Sequence, residues 1–176
     1  MIAMKKLAVF VGRFNPIHNG HTAVVREMID KHGLENCLLI IGSSNAPLSL
    51  RHFFSYDERK KLIQKMFPSI KLVGLPDYHN EKEWLAALDD ILRASGTNLS
   101  DVIFFGGCQE DVRFFVDDGR ECTILNRFDG SSIKTSATEV RDALIAGRPL
   151  DDLVDESILS DMQDLFKEKW EKFKRI

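Results

Sequence analysis

Apolar positions fall along this chain in two textures. Short, nearly continuous runs rich in Val, Ile, Leu and Phe occupy residues 6–11 (KLAVFV), 37–42 (CLLIIG), 70–75 (IKLVGL), 101–106 (DVIFFG) and 121–125 (ECTIL). Runs without polar alternation predict strands covered on both faces, as parallel strands are. Between them lie longer segments of helical period, each with its own start or stop signal. Val24, Val25, Met28 and Ile29 form one face of a first helix, and Gly33 ends it. Ser55 with Glu58 makes a capping box that opens a second helix, halted before Pro68. A third covers 81–94, with Trp84, Leu85, Leu88, Ile91 and Leu92 inward and Gly96 after it. Ser136 with Glu139 opens another, which ends before Gly147 and Pro149. The stretch 157–173 sets Ile158, Leu159, Met162, Leu165, Phe166, Trp170 and Phe173 on one side of a C-terminal helix.

Strand and helix in alternation predict an α/β fold: a doubly wound, Rossmann-like parallel sheet of five strands, helices on both faces, and the C-terminal helix added. In such sheets ligands sit at the carboxyl ends of the strands, where strand order reverses. Residues immediately after strands are therefore the ones that carry chemistry.

Composition narrows the picture. The 176 residues suffice for one well-buried core and are too few for two ordinary domains, so 1–176 is expected to be a single domain. Apolar residues at 44% and charged residues at 29% are those of a water-soluble globular protein. A net charge of −3 excludes the broad basic face that nucleic-acid or membrane-surface binding needs. Any anionic ligand must then meet a local cluster of cations and backbone N–H groups. Cys37, Cys108 and Cys122 are odd in number and lack C-x-x-C spacing, which predicts buried free thiols and a reducing, cytoplasmic setting. The apolar run near the N-terminus is broken by Gly12 and Arg13, too soon for a signal peptide or a membrane span.

The first strand leads into the loop 12–20, where the chemistry concentrates. Gly12 allows a tight turn and close approach of the backbone to a ligand, and Pro16 stiffens the loop. His18 falls on the loop, Gly20 at the start of the next helix and His21 about one residue inside it. That helix end offers free N–H groups and a positive dipole to an anion, and Arg13 adds a permanent bidentate charge. Two blander readings compete: half of a zinc site, which no third ligand at suitable spacing completes, and a polar loop with a helix cap. Far along the chain, residues 133–141 (IKTSATEVR) open a second helix after the last strand. Ser136 and Glu139 cap it, while Ser136, Thr138 and Arg141 also make an anion cradle. Lys134 reads equally as an extra cation or a solvated lysine.

GRFNPIHNGH (12–21) resembles the H-x-G-H signature of the nucleotidyltransferase superfamily, and its G-R-F-x-P-x-H flank is most similar to the nicotinamide mononucleotide (NMN) adenylyltransferases of the compact archaeal-type branch. TSATEVR (135–141) resembles the superfamily's second motif, I-S-S-T-x-x-R, with Thr135 and Ala137 in place of Ile and Ser. Residues 42–59 are similar to a family loop ending Asn-Pro-Phe-Thr-x-x-Glu-Arg, with His52 and Phe53 standing for Asn-Pro. Residues 75–84 resemble a Pro-Asp…Trp segment. There the resemblance implies that Trp84 stacks on the nicotinamide ring and that the region of Asp77 contacts the pyridine amide or ribose; the alternative for Trp84 is a core anchor. VIFFGGCQEDVRFF (102–115) looks like the family's loop after the fourth strand, where Gly106 and Gly107 would suit close approach to the nucleotide or simply turn the chain.

The resemblance implies adenylyl transfer from ATP to NMN, giving NAD and pyrophosphate. An anionic phosphate nucleophile needs no general base, so catalysis reduces to positioning and charge stabilisation. His18, His21, Arg13 and Arg141 are the implied catalytic residues. ATP would meet Gly12, Arg13, Phe14, His18, Gly20, His21, Gly106, Ser136, Thr138 and Arg141; NMN would meet Arg13, Asp77 and Trp84. Mg²⁺ is expected on the ATP phosphates, largely keeping its waters, without a protein cage. Another phosphomonoester acceptor and a non-catalytic nucleotide sensor are the alternatives. The family often assembles, so a homo-oligomer is a further expectation, with the C-terminal helix packing on its own sheet or on a neighbour.

Overall fold

The computed structural model describes residues 4–125 and 135–175. Five strands, β1 (Leu7–Gly12), β2 (Cys37–Ile41), β3 (Lys71–Gly74), β4 (Val102–Gly106) and β5 (Cys122–Ile124), form one sheet in the order β3-β2-β1-β4-β5. Every pair is parallel. The helices are α1 (Asn19–His32), α2 (Tyr56–Met66), α3 (Glu81–Ala94), α4 (Gln109–Asp117), α5 (Ala137–Ala146) and α6 (Glu156–Phe173).

Side chains alternate across the sheet and build two cores. Ala8, Phe10, Leu39, Ile41, Ile103 and Phe105 face one side, where α1, α2, α5 and α6 cover them. Val9, Leu38, Ile40 and Phe104 face the other, beneath Leu88 and Leu92 of α3 and Val112 and Phe115 of α4. Burial on both faces is why the strands read as continuous apolar runs. The capping box of Ser55 and Glu58 exchanges both bonds; at α5 only its first half forms, Ser136 accepting from the Glu139 N–H, and Gly147 closes that helix in the left-handed region at φ 66°.

The main departure is α4. The sequence reading likens 102–115 to a loop after the fourth strand and predicts no helix there, yet only Gly107 and Cys108 separate β4 from a helix. Cys108 supplies no side-chain cap, so the usual start signal is missing; instead Asp111 accepts from the Gly107 N–H at 2.8 Å. The pair Val112 and Phe115, at helical spacing, docks on Phe104. All three cysteines are free, but only Cys37 is fully buried, and burial pushes its thiol up to about 11. The C-terminal helix packs on its own domain, with Ile158, Met162 and Phe166 buried in the α1/α2 core. Among the described residues no helix is long and apolar enough to cross a membrane.

Candidate active site

Strand order reverses between β1 and β4, because the chain winds outward from β1 in both directions. The loops leaving β1 and β2 meet α5 near this point, and the loop leaving β3 is tied to that leaving β2.

The histidine pair is built by the start of α1. His18 is the N-cap residue, in extended conformation, and its Nδ1 accepts from the Gly20 N–H at 3.1 Å. His21 stands at the third helical position, about one residue further in than the sequence reading has it, and its Nδ1 accepts from the His18 N–H at 3.4 Å. Two imidazoles thus form a capping box normally made by Ser and Glu. Their rings stack with centroids 3.7 Å apart, and Phe14 closes edge-on over His21 at 4.8 Å. A neutral ring whose Nδ1 accepts a backbone N–H carries its proton on Nε2. The cap therefore leaves the proton of each ring on Nε2; His21 lines one of the two cavities beside Arg13, whereas His18, 3% exposed, lines neither.

Two cavities flank Arg13, which lines both. The first, about 320 Å³, is walled by Ser43, Asp77, Tyr78, Glu81 and Trp84. Asp77 accepts from the Ser43 hydroxyl at 2.9 Å, and its own N–H donates to Asn45 Oδ1 at 2.8 Å, which ties the exits of β2 and β3 together. Trp84 lies 6.0 Å from the Phe115 ring on the core side and also faces this cavity, so its two readings are not exclusive.

The second cavity, about 210 Å³, is lined by Phe14, His21, Arg51, Thr138 and Arg141 besides Arg13. Arg141 donates to the Asn15 carbonyl at 2.8 Å across 126 residues of sequence, and to Thr138 Oγ1 at 3.2 Å. This contact joins the two distant motifs. Burial, and then the charges of Arg51 and Arg13, lower the Arg141 pKa. Three guanidinium groups that repel one another make a site whose strain an anion relieves.

Other predicted residues sit differently. Gly12 lines the first cavity, with Phe14 against its α-carbon: a β-carbon would lie 3.1 Å from that ring. Gly20 serves through its N–H to His18. Ser136 caps α5 and lines neither cavity. Gly106 also lines neither; a β-carbon there would lie 2.7 Å from Val112 Cγ1, so it makes room for α4. Lys134 lies outside the described residues.

Sequence reasoning missed three residues. Arg51 adds the third guanidinium. Asn15, buried, holds both backbone groups of Phe54, accepting at 2.9 Å and donating at 3.0 Å. Arg59, 2% exposed, donates to the carbonyls of Arg13 (2.7 Å), Gly42 (2.9 Å), Ser43 (3.1 Å) and Ser55 (3.3 Å). Phe14 and Ser43 have φ of 50° and 49°, a conformation that costs non-glycine residues about 1 kcal/mol or more each. Arg59 clamps the chain beside both. Its phase was the available signal: it shares the inward face of α2 with Leu62 and Ile63. His52 Nε2 is buried without a hydrogen-bond partner; burial, then Arg13 and Arg51, lower its pKa.

A larger cavity, about 560 Å³, lies where β4 and β5 begin, at the wrong end of the sheet for this fold's ligands. Its Arg120 is already bound by Asp89 at 2.6 Å and Asp118 at 2.8 Å.

Residues 9–143 match the family model described as cytidylyltransferase-like. The chain belongs to that family. The matched stretch of this cytidylyltransferase-like chain contains every residue lining the two cavities, while α6 lies beyond it. Among curated relatives, the nicotinamide-nucleotide adenylyltransferase of Thermococcus onnurineus is 26% identical over 168 residues, covering 92% of this chain and 84% of that protein. The fold is that of a bifunctional NMN adenylyltransferase/ADP ribose pyrophosphatase from Francisella tularensis, at TM-score 0.75 and 18% identity over 94% of this chain. The structure of that protein with AMP and a manganese ion gives TM-score 0.69 at 20% identity. The chain spans about half of that bifunctional protein, 52% of its length.

Proposed function

We propose that the protein is a nicotinamide-nucleotide adenylyltransferase, joining ATP and NMN to give NAD and pyrophosphate. One observation carries the reading: Arg13 lies between an aromatic, carboxylate-bearing cavity and an arginine-lined one. A mononucleotide in the first and a triphosphate in the second bring acceptor phosphate and α-phosphate together at that guanidinium. The curated relative of that name supports it over nearly the whole chain.

An oxygen of the NMN phosphate attacks the α-phosphorus in line; the bond to the bridging oxygen breaks, and pyrophosphate leaves with its electron pair. No proton need be removed from the nucleophile. Arg13 steadies the charge on both phosphates, Arg51 and Arg141 hold the triphosphate, and Thr138 orients Arg141. The Nε2–H groups of His18 and His21 donate to the phosphate oxygens as charge shifts towards the leaving group. Among the described residues the arginine-lined cavity carries no carboxylate. A divalent cation, proposed as Mg²⁺, would be brought in by the nucleotide and would supply charge neutralisation, with Arg13, Arg51 and Arg141 as the protein's cations beside it. Free cysteines fit a cytoplasmic setting.

Incubation with Mg·ATP and NMN tests this directly: NAD and pyrophosphate must appear in equal amounts. Pyrophosphate release only with another phosphomonoester would reassign the acceptor, and none with any acceptor would leave a nucleotide sensor. On the acceptor side, Trp84→Ala raises KM for NMN well above KM for ATP; equal KM values to wild type return Trp84 to the core.

A further inference from the structure

Arg51 reaches the arginine-lined cavity from a loop that contains no proline after Pro47 to stiffen it. Something else must hold that loop. From the sheet side, Asn15 bonds both backbone groups of Phe54. From the other side the holder is α6, outside the stretch that the family model matches. The Phe53 ring, 2% exposed, packs against Phe166 at 5.1 Å and Phe173 at 5.2 Å. Lys169 Nζ donates to the Phe53 carbonyl at 2.9 Å, and it also pairs with Glu58. The ammonium lies 5.7 Å from the centroids of both the Phe53 and Phe54 rings.

This lysine is unlike the other cations of α6. Its side chain is only 12% exposed, and that of Glu58 20%. Burying an ammonium is costly, and an apolar side chain would cover Phe53 and Phe54 as well. What an apolar residue cannot do is hold the Phe53 carbonyl, two residues from Arg51. Glu58 meanwhile accepts from the Ser55 N–H at 2.9 Å, so one charge pair fixes the chain on both sides of Phe54.

We propose that Lys169 is a positioning residue for nucleotide binding: acting through the Phe53 main chain, it aims Arg51 at the triphosphate. This rests on the reading of the arginine-lined cavity as the triphosphate site. The C-terminal helix is thereby part of the site's machinery and not only of the core.

The test is a double-mutant cycle read by calorimetric binding of Mg·ATP and by the KM and kcat of NAD formation. Lys169→Met keeps the apolar stem and removes the donor; ATP affinity should fall about tenfold, the scale of a lost hydrogen bond to a charged group. Lys169→Arg, which can bond both the Phe53 carbonyl and Glu58, should recover most of it. In the Arg51→Ala background, Lys169→Met should weaken binding by less than about twofold, since the group it positions is gone. Wild-type affinity in Lys169→Met, or losses that multiply in the double variant, overturns the proposal. Glu58→Gln, which loosens the ammonium and keeps the capping box, is the second variant should Lys169→Met not fold, with the same coupling to Arg51→Ala expected. The binding arm does not depend on the acceptor. Coupled losses in ATP affinity without NAD formation would therefore support Lys169 and refute the proposed reaction.

Discussion

At the residue scale, the histidine pair separates structure from chemistry within single side chains. His18 and His21 spend Nδ1 on backbone N–H groups, and the proposed reaction asks Nε2 to donate to phosphate. His18→Asn isolates the two roles, because asparagine is a good N-cap and lacks Nε2. Stability should change by less than about 1 kcal/mol, while kcat falls about 10²-fold, the scale of one lost transition-state donor. Urea unfolding and steady-state kinetics check both halves, and a wild-type kcat would remove His18 from the chemistry. His52 makes a prediction of a different kind. Burial first, and then Arg13 and Arg51, hold its imidazole below the ordinary 6.5. As pH falls the unfolded chain protonates before the native one, so the unfolded state binds more protons and stability declines. Between about pH 7 and pH 5, urea midpoints of the wild type should fall more steeply than those of His52→Gln. Parallel profiles would mean that His52 titrates alike in both states. Arg13, His18, His21 and Arg141 stood out as candidates because each sits in a dense local motif. Arg51 did not, because a lone arginine among the chain's 24 Lys and Arg says nothing until its cavity is known; Arg59 closed the 42–59 match but had no role until its burial was seen.

At the element scale, strand and helix positions followed from period and caps, and α4 is the instructive failure. Its start has no side-chain cap on Cys108, and it is nine residues long, so local signals are weak; docking on Phe104 supplies what they lack. The same packing gives Gly106 its role. A methyl group there would lie 2.7 Å from Val112 Cγ1 and 2.8 Å from Asp111 Cβ. Gly106→Ala should therefore cost roughly 1–3 kcal/mol by overpacking, a drop of several degrees in Tm, about 2–4 °C per kcal/mol for a chain this size. KM for ATP should stay near wild type. Unchanged Tm with a raised KM would return Gly106 to the nucleotide.

At the scale of the molecule, the site is a junction of segments remote in sequence: the exits of β1, β2 and β3, and the start of α5. Arg141 and Asn15 are its protein cross-link, and a bound triphosphate would be a second one. Mg·ATP at about 100 times its Kd should add about 2.7 kcal/mol of stability, raising Tm by roughly 5–10 °C. Arg141→Ala, which removes both cross-links at once, should lower Tm without nucleotide and abolish most of the ligand-induced rise. Differential scanning calorimetry with and without Mg·ATP decides it; an equal rise in wild type and variant would detach Arg141 from the triphosphate.

The sequence by itself determined the class of fold, the parallel sheet and the positions of the two motifs at helix starts. Each of these depends on near neighbours along the chain: a burial period, a cap, a glycine turn, two histidines three apart. Only the tertiary structure decided that Arg13 borders two cavities, that Arg51 joins Arg141, that Gly106 yields to α4, and that the C-terminal helix reaches the loop of Arg51. Those facts depend on groups brought together by the winding of the sheet, and no local pattern encodes the distance between them.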